Sequence, residues 1–316
     1  MKASRQTTLR KTIVLTGAGV HSGKPARLML HPADTNHGIV FLRTGLPNGI
    51  ERLIDARHTH VSTTELCTVL GDAESGSVAT IEHLMSAFAG LGVDNVVAEI
   101  DGPEMPILDG SAERFVDAIL EAGLVKQDAP RRFVKILRPV RVEQGRAFSE
   151  LRPFERGFRL DVEIDFDTPV IGRQRKVLDL EPVAYRNEIA RARTFGFMRD
   201  VEKLWKAGFA LGSSLENSVA ITDDGVLNPE GLRYSDEFVR HKMLDAIGDL
   251  ALAGYAIQGE YRSYCAGHRM NVAVLEALFS DRANYTIIDS YTARRELGRA
   301  EIGAGVAMPA FAPDVK

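Results

Sequence analysis

The chain has 316 residues, 45% of them hydrophobic and 26% charged, an ordinary globular composition with length enough for two domains. A formal net charge of -4 argues against the basic field of a nucleic-acid binder, and no run of about 18 apolar residues offers a membrane span. The opening MKASRQTTLRKTIVLTG has too short an apolar run for a signal peptide, and two cysteines, Cys67 and Cys265, make no secreted disulfide framework. The expectation is a cytoplasmic monomer that binds no nucleic acid.

Gly17-Ala-Gly-Val-His-Ser-Gly-Lys24 invites a phosphate-loop reading. It fails, because Ala18 stands where the first glycine belongs and Pro25 replaces the metal-binding hydroxyl residue. Residues 27–31 read as a strand, so a glycine-rich hairpin turn is expected. His58 and His60 would share one face of a surface strand, with no third ligand beside them. Cys67 reads as a small half-buried thiol. A helix is predicted over 80–89, with Thr80 as its cap and Gly90 and Gly92 at its end. Glu82 and His83 near its start are similar to the adjacent Glu and His of zinc hydrolases, although Ala87 stands where a second histidine would fall. A capping glutamate beside a partly buried histidine is the plainer reading. Residues 96–100 form a short strand. A second helix, 112–122, has Ser111 as N-cap, Gly123 as stop and an apolar stripe of Phe115, Val116, Ile119 and Leu120. Residues 126–132 are polar and hold Pro130, which reads as a linker. It would divide an N-terminal α+β domain (1–127) from a C-terminal one (128–316).

The clearest strand is 158–166, where Phe158, Leu160, Val162, Ile164 and Phe166 alternate with charged residues. Residues 191–200 collect arginines, Thr194 and aromatics. They could bind a phosphate and a base, or form a solvated charged edge. A third helix, 236–253, has Ser235 as cap and a core face of Val239, Met243, Ala246, Ile247 and Leu250. His241, Asp245 and Asp249 form a separate stripe on it. A histidine and a carboxylate one turn apart can hold a metal, or simply pair on the surface. His83 could complete a site of two histidines and one carboxylate, leaving a fourth position for water. His83-Leu-Met85 and His241-Lys-Met243 also echo each other, each with a glycine seven residues after the histidine (Gly90, Gly248). His268 follows Gly267 in an expected loop, exposed enough to exchange protons.

Six motifs occur in order: TGAGVHSG (16–23), TIEH (80–83), PILDGSA (106–112), RARTFGFMRD (191–200), EFVRHKMLDAIGD (237–249) and SYCAGH (263–268). Together they resemble the UDP-3-O-acyl-N-acetylglucosamine deacetylases of lipid A synthesis, from about residue 6 to 290. The resemblance implies an α+β fold of two similar domains, each an antiparallel sheet packed with helices, with the active site between them. It implies zinc on His83, His241 and Asp245, a site that iron(II) could also occupy. Glu82 matches the general base, His268 the general acid and Asp249 the acid's partner. Thr194 matches the hydroxyl at the oxyanion, Phe195 the ring that stacks on uracil, and Lys242 a substrate-binding lysine. An insert at 198–212, carrying Met198, Val201, Leu204, Trp205 and Leu211, matches the acyl-chain passage. The implied substrate is an acylated UDP-N-acetylglucosamine. A zinc amidase for another acylated nucleotide sugar is the alternative.

Overall fold

Period-two alternation builds two five-stranded arrays on one plan. In the computed structural model, which describes residues 4–290, the first array runs Ile13–Ala18, Pro25–Pro32, Val96–Ile100, Ile39–Arg43, Arg52–Asp55 in spatial order. In the second, Ala256–Tyr264 lies between Ala147–Arg152 and Phe158–Asp165, which pair outward with Val140–Gln144 and Arg173–Asp179. Each array is therefore two hairpins with a later strand inserted between them. Arg132–Ile136 and Tyr285–Asp289 extend the second array beside the start of Ala256–Tyr264. The pairing is antiparallel, as expected, except where an inserted strand meets Ile39–Arg43 in one array and Phe158–Asp165 or Arg132–Ile136 in the other. A parallel neighbour needs a long crossover, and helices supply it here.

Helix α1 (Glu82–Leu91) leads into the first inserted strand and α2 (Glu113–Ala122) follows it. Helices α3 (Pro182–Glu188) and α4 (Met198–Lys206) lie on the way to α5 (Glu237–Leu250). Helix α5 leads into the second inserted strand, and α6 (His268–Phe279) follows. The duplication explains the echo of His83 and His241, since both stand on the helix preceding an inserted strand. Helices α1 and α5 pack on each other, and Leu84, Met85 and Phe88 of one and Val239, Met243, Ile247 and Leu250 of the other are buried in one core. The crossing is tight because of Gly248, where an added Cβ would lie 2.0 Å from the carbonyl oxygen of Glu82.

Several local expectations need correction. Helix α1 starts two residues later than predicted, because Thr80 takes a φ of 60° and donates its hydroxyl to Glu104 at 3.0 Å instead of capping. Gly92 ends the helix in the left-handed region, as expected. Ala112, not Ser111, holds the N-cap position of α2, although Ser111 Oγ accepts the Glu113 N–H at 3.1 Å, and Leu120 turns outward. Ser235 does not cap α5, where Asp236 holds the N-cap position. Residues 58–60 are a short 3-10 turn, and the His58 ring stacks on Phe279 at 4.7 Å. The stretch read as a linker is mostly strand Leu124–Pro130, paired with Arg5–Leu9. We propose that the domain boundary nevertheless falls here, since the next strand joins the second array. Residues 291–316, which the sequence expectation gives to the C-terminal domain, lie outside the described residues. Both cysteines are free, and Cys67 is fully buried, its thiol pushed up to about 12 by desolvation. Among the described residues no helix is long and apolar enough to cross a membrane.

Gly248→Ala should force α1 and α5 apart. Overpacking of this kind costs about 1–3 kcal/mol. The check is a lower unfolding midpoint by urea or heat.

Candidate metal centre and active site

Helix α5 buries two faces. Its apolar face enters the core, and its polar stripe, His241, Asp245 and Asp249, is buried as well, facing α1 and α6. His83 comes from the second residue of α1. The ligand atoms of His83, His241 and Asp245 lie within 4.8 Å of one another. Asp245 Oδ1 is 3.6 Å from His83 Nε2 and 3.4 Å from His241 Nε2, and the two rings stand edge to face at 5.0 Å.

A metal fits this donor set. Asp245 Oδ1 is buried and accepts no hydrogen bond, although two imidazole nitrogens face it. The other oxygen of Asp245 accepts from Lys242 Nζ at 2.8 Å. His241 Nδ1 lies 3.0 Å from the Ala192 carbonyl, which fixes the ring and leaves Nε2 toward the cluster. Burial lowers His241 to about 3 against the pull of Asp245, so the imidazole is neutral, as a ligand must be. Burial alone would raise Asp245, but His241, Lys242 and His83 hold it well below the usual carboxylate range.

Glu82 opens α1, where the helix dipole favours an anion. Burial raises its pKa, and Asp249 and Asp245 add to the rise against His268 and His83. Its Oε2 accepts the backbone N–H of Thr68 at 3.1 Å. His268 is the first residue of α6 and not a loop residue as expected. Burial works against its charge, as does a helix N-terminus. Asp249, 2.8 Å from Nδ1, outweighs both with help from Glu82 and Asp245, and raises His268 to about 9.

Phe195 lies beside His241, and Thr194, next to it in the chain, donates its N–H to the Gly110 carbonyl at 2.8 Å. Ala192 bonds the His241 ring nitrogen, and the Phe195 ring lies 6.2 Å from that imidazole. Lys242 Nζ sits 5.4 Å from the Phe195 ring centroid, and burial is outweighed by Asp245 in raising its pKa. Arg193 is neither a phosphate ligand nor a solvated edge. It is buried on Glu237, at 2.9 Å, and also donates to the Gly231 carbonyl at 2.7 Å. This pins the loop just before Thr194 to the start of α5.

The insert stands apart from the core. Met198, Trp205 and Leu211 are 42%, 54% and 54% exposed, apolar surface left open among the described residues. Val201 and Leu204 are half-buried on α4. The insert ends against the 19–23 turn, where Leu211 and Gly212 donate to the carbonyls of His21 and Val20 at 3.0 Å each. That turn is the expected hairpin, not a phosphate loop. It is held by buried Glu104, which accepts the His21 and Ser22 N–H groups at 2.9 and 2.7 Å.

Sequence reasoning missed Glu104, Thr68 and His21. His21 packs edge-on against Phe209 at 5.6 Å, and burial lowers its pKa, with Glu104 opposing and His268 and His83 adding. It lay inside a quoted motif, whereas nothing local marks Thr68. Asn271 was also missed, although its place three residues after His268 puts both on one helix face. A cavity of about 890 Å³ lies at the other ends of α1 and α5. Its Arg57 donates to the Ala253 carbonyl at 3.4 Å and its Arg131 pairs with Asp94 at 2.8 Å, so these arginines serve the helix ends.

Two histidines and one carboxylate that could hold a metal, with the titratable Glu82 and His268 nearby, are the donor set of the metal-dependent hydrolase class. The model of the UDP-3-O-acyl N-acetylglycosamine deacetylase family matches residues 6–280. Proteins named UDP-3-O-acyl-N-acetylglucosamine deacetylase from Brucella ovis, Brucella canis and Brucella melitensis biotype 2 are each 49% identical over 286 residues. The match covers 90% of this chain and 99% of each relative. The chain belongs to this deacetylase family.

Arg193→Met should leave Glu237 buried without a counter-ion, held only by the backbone N–H groups of residues 193 and 233, at a cost of about 3 kcal/mol. Arg191→Ala, which removes only a half-exposed pair with Glu113, should cost about 1 kcal/mol or less. Urea unfolding midpoints check both.

Proposed function

We infer that the chain hydrolyses the N-acetyl group of a UDP-3-O-acyl-N-acetylglucosamine, releasing acetate and the free amine, as an early cytoplasmic step of lipid A synthesis. The observation that carries this reading is the buried cluster of His83, His241 and Asp245 with Glu82 and His268 beside it, in a chain 49% identical to named deacetylases. A monomer suffices, since all of these residues come from one chain.

Zinc is the metal we assign to the cluster, and when bound it supplies a Lewis acid and a more acidic water. Glu82, next to His83 at the start of α1, would serve as the base that holds the proton of the attacking water. Its raised pKa makes it a better base at neutral pH than an exposed glutamate. Thr194, whose neighbour Phe195 lies beside His241, is the hydroxyl we assign to the developing oxyanion. His268 donates a proton to the departing nitrogen, and Asp249 on Nδ1 keeps that imidazole charged and Nε2–H free to point at substrate. Phe195 presents a ring for the uracil, and Lys242, beside it, a cation for substrate oxygens. The open apolar side chains of 198–212 line the path of the acyl chain. Iron(II) suits the same donors, so metal identity is a matter for assay.

Chelation should abolish activity and zinc should restore it. His241→Ala should lose metal, whereas His268→Ala should keep it, and elemental analysis separates the two. Full turnover by metal-free protein would sink the mechanism.

His268 must be cationic to act. With its pKa raised to about 9, the acid form persists through neutral pH and is lost as pH rises through about 9. The pH profile of kcat/KM should fall there. His268→Gln should remove that limb and lower kcat about 100-fold or more. The acyl chain offers about 0.8 kcal/mol per buried CH₂. Shortening it by several carbons should therefore cost orders of magnitude in kcat/KM, and equal rates for acylated and deacylated substrates would exclude the passage.

A further inference from the structure

Asp249 has no exposed surface, and both its oxygens are engaged. Thr68 Oγ1 donates to Oδ1 at 2.6 Å, while His268 Nδ1 and Asn271 Nδ2 meet Oδ2 at 2.8 Å each. Thr68 is itself fully buried, and its backbone N–H is the donor 3.1 Å from Glu82 Oε2. One residue thus touches the carboxylate of the base and the carboxylate behind the acid.

Asn271 is oriented from its far side. The Tyr261 hydroxyl donates to Asn271 Oδ1 at 2.5 Å, so Nδ2 must face Asp249. Burial pushes the Tyr261 phenol up to about 12, which keeps it a donor. Ser149 Oγ, 3.0 Å away, completes the chain back into the second sheet.

We propose that Thr68 is a positioning residue shared by the two proton-transfer groups, with Asn271 completing its hold on Asp249. The proposal rests on the acid and base roles inferred above. A carboxylate with three fixed donors does not rotate, so Oδ2 stays aimed at His268 Nδ1 and the transferable proton stays on Nε2. The Thr68 hydroxyl also draws charge away from Oδ2. Without it, Asp249 grips the imidazolium harder, and His268 keeps its proton to higher pH and gives it up less readily. The other groups that act on His268 are Glu82 from α1, Asp245 from α5 and His21 from the 19–23 turn. None of them bonds to Thr68 through its hydroxyl.

The test uses zinc-loaded Thr68→Val, which keeps the shape and the backbone N–H and removes only the hydroxyl. Metal content should be unchanged and KM should stay within about threefold, while kcat falls about 10- to 100-fold, as for other groups that orient site residues. The alkaline limb and the NMR titration of the His268 imidazole should both move up by about half a unit or more. Thr68→Ser should restore all three. Normal kcat in the valine enzyme, or a lower kcat with an unmoved His268 titration, overturns the proposal. If valine prevents folding, Asn271→Ser removes a donor from Oδ2 with Thr68 in place, and the His268 titration must again rise. An unmoved titration there overturns it too. Failure of the acid assignment looks different: His268→Gln would keep the alkaline limb, and the imidazole titration would still decide the role of Thr68.

Discussion

The close crossing of α1 and α5 is the contact on which the site depends. Gly248 lets the backbone of Glu82 rest on α5, and no side chain at that position would leave room for it. Only at this distance do a histidine from one half and a histidine and carboxylate from the other share a volume a single ion can fill. The apolar faces of both helices enter the core, so the approach is stabilised by burial of Leu84, Phe88, Met243, Ile247 and Leu250.

That crossing also puts Glu82, His83, His241, Asp245 and Asp249 out of water. Buried charges are costly unless paired and hydrogen-bonded. The fold meets most of this cost with specific partners: Lys242 on Asp245, Thr68 on Glu82, and Thr68, His268 and Asn271 on Asp249. What it leaves unmet is informative. Asp245 Oδ1 and His83 Nδ1 are buried without hydrogen-bond partners, and the first lies at the centre of the ligand set. The same burial moves two neighbouring titratable groups in opposite senses. It raises the Glu82 carboxyl, while Asp249 overrides burial and keeps His268 a cation.

The duplicated plan explains why these parts meet. Each half inserts a strand between two hairpins through a helical crossover, and α1 and α5 are the corresponding helices. Packing them together brings equivalent ends of two similar halves into contact. The halves then diverged in what they attach. The first half keeps a glycine-rich turn held by Glu104, and the second adds α4 and the exposed apolar insert that docks on that turn.

Much of this was legible in the residues. Alternation marked Phe158–Asp165, helical spacing separated the core face of α5 from its His241–Asp245–Asp249 stripe, and six motifs in order pointed to the family. These signals are local, because periodicity and short motifs are properties of neighbouring residues. Local reasoning failed where a long-range partner took the residue. Thr80 left its cap for Glu104, Arg193 left any ligand role for Glu237, and the supposed linker became a strand because Arg5–Leu9 was there to pair with it. Thr68 is the extreme case: its hydroxyl bonds to a carboxylate 181 positions away, and nothing near it in the chain records that. The sequence by itself determined the family and which side chains share the polar face of α5. Only the tertiary structure decided their charge states and their mates, because desolvation and hydrogen bonding depend on what the rest of the chain brings alongside.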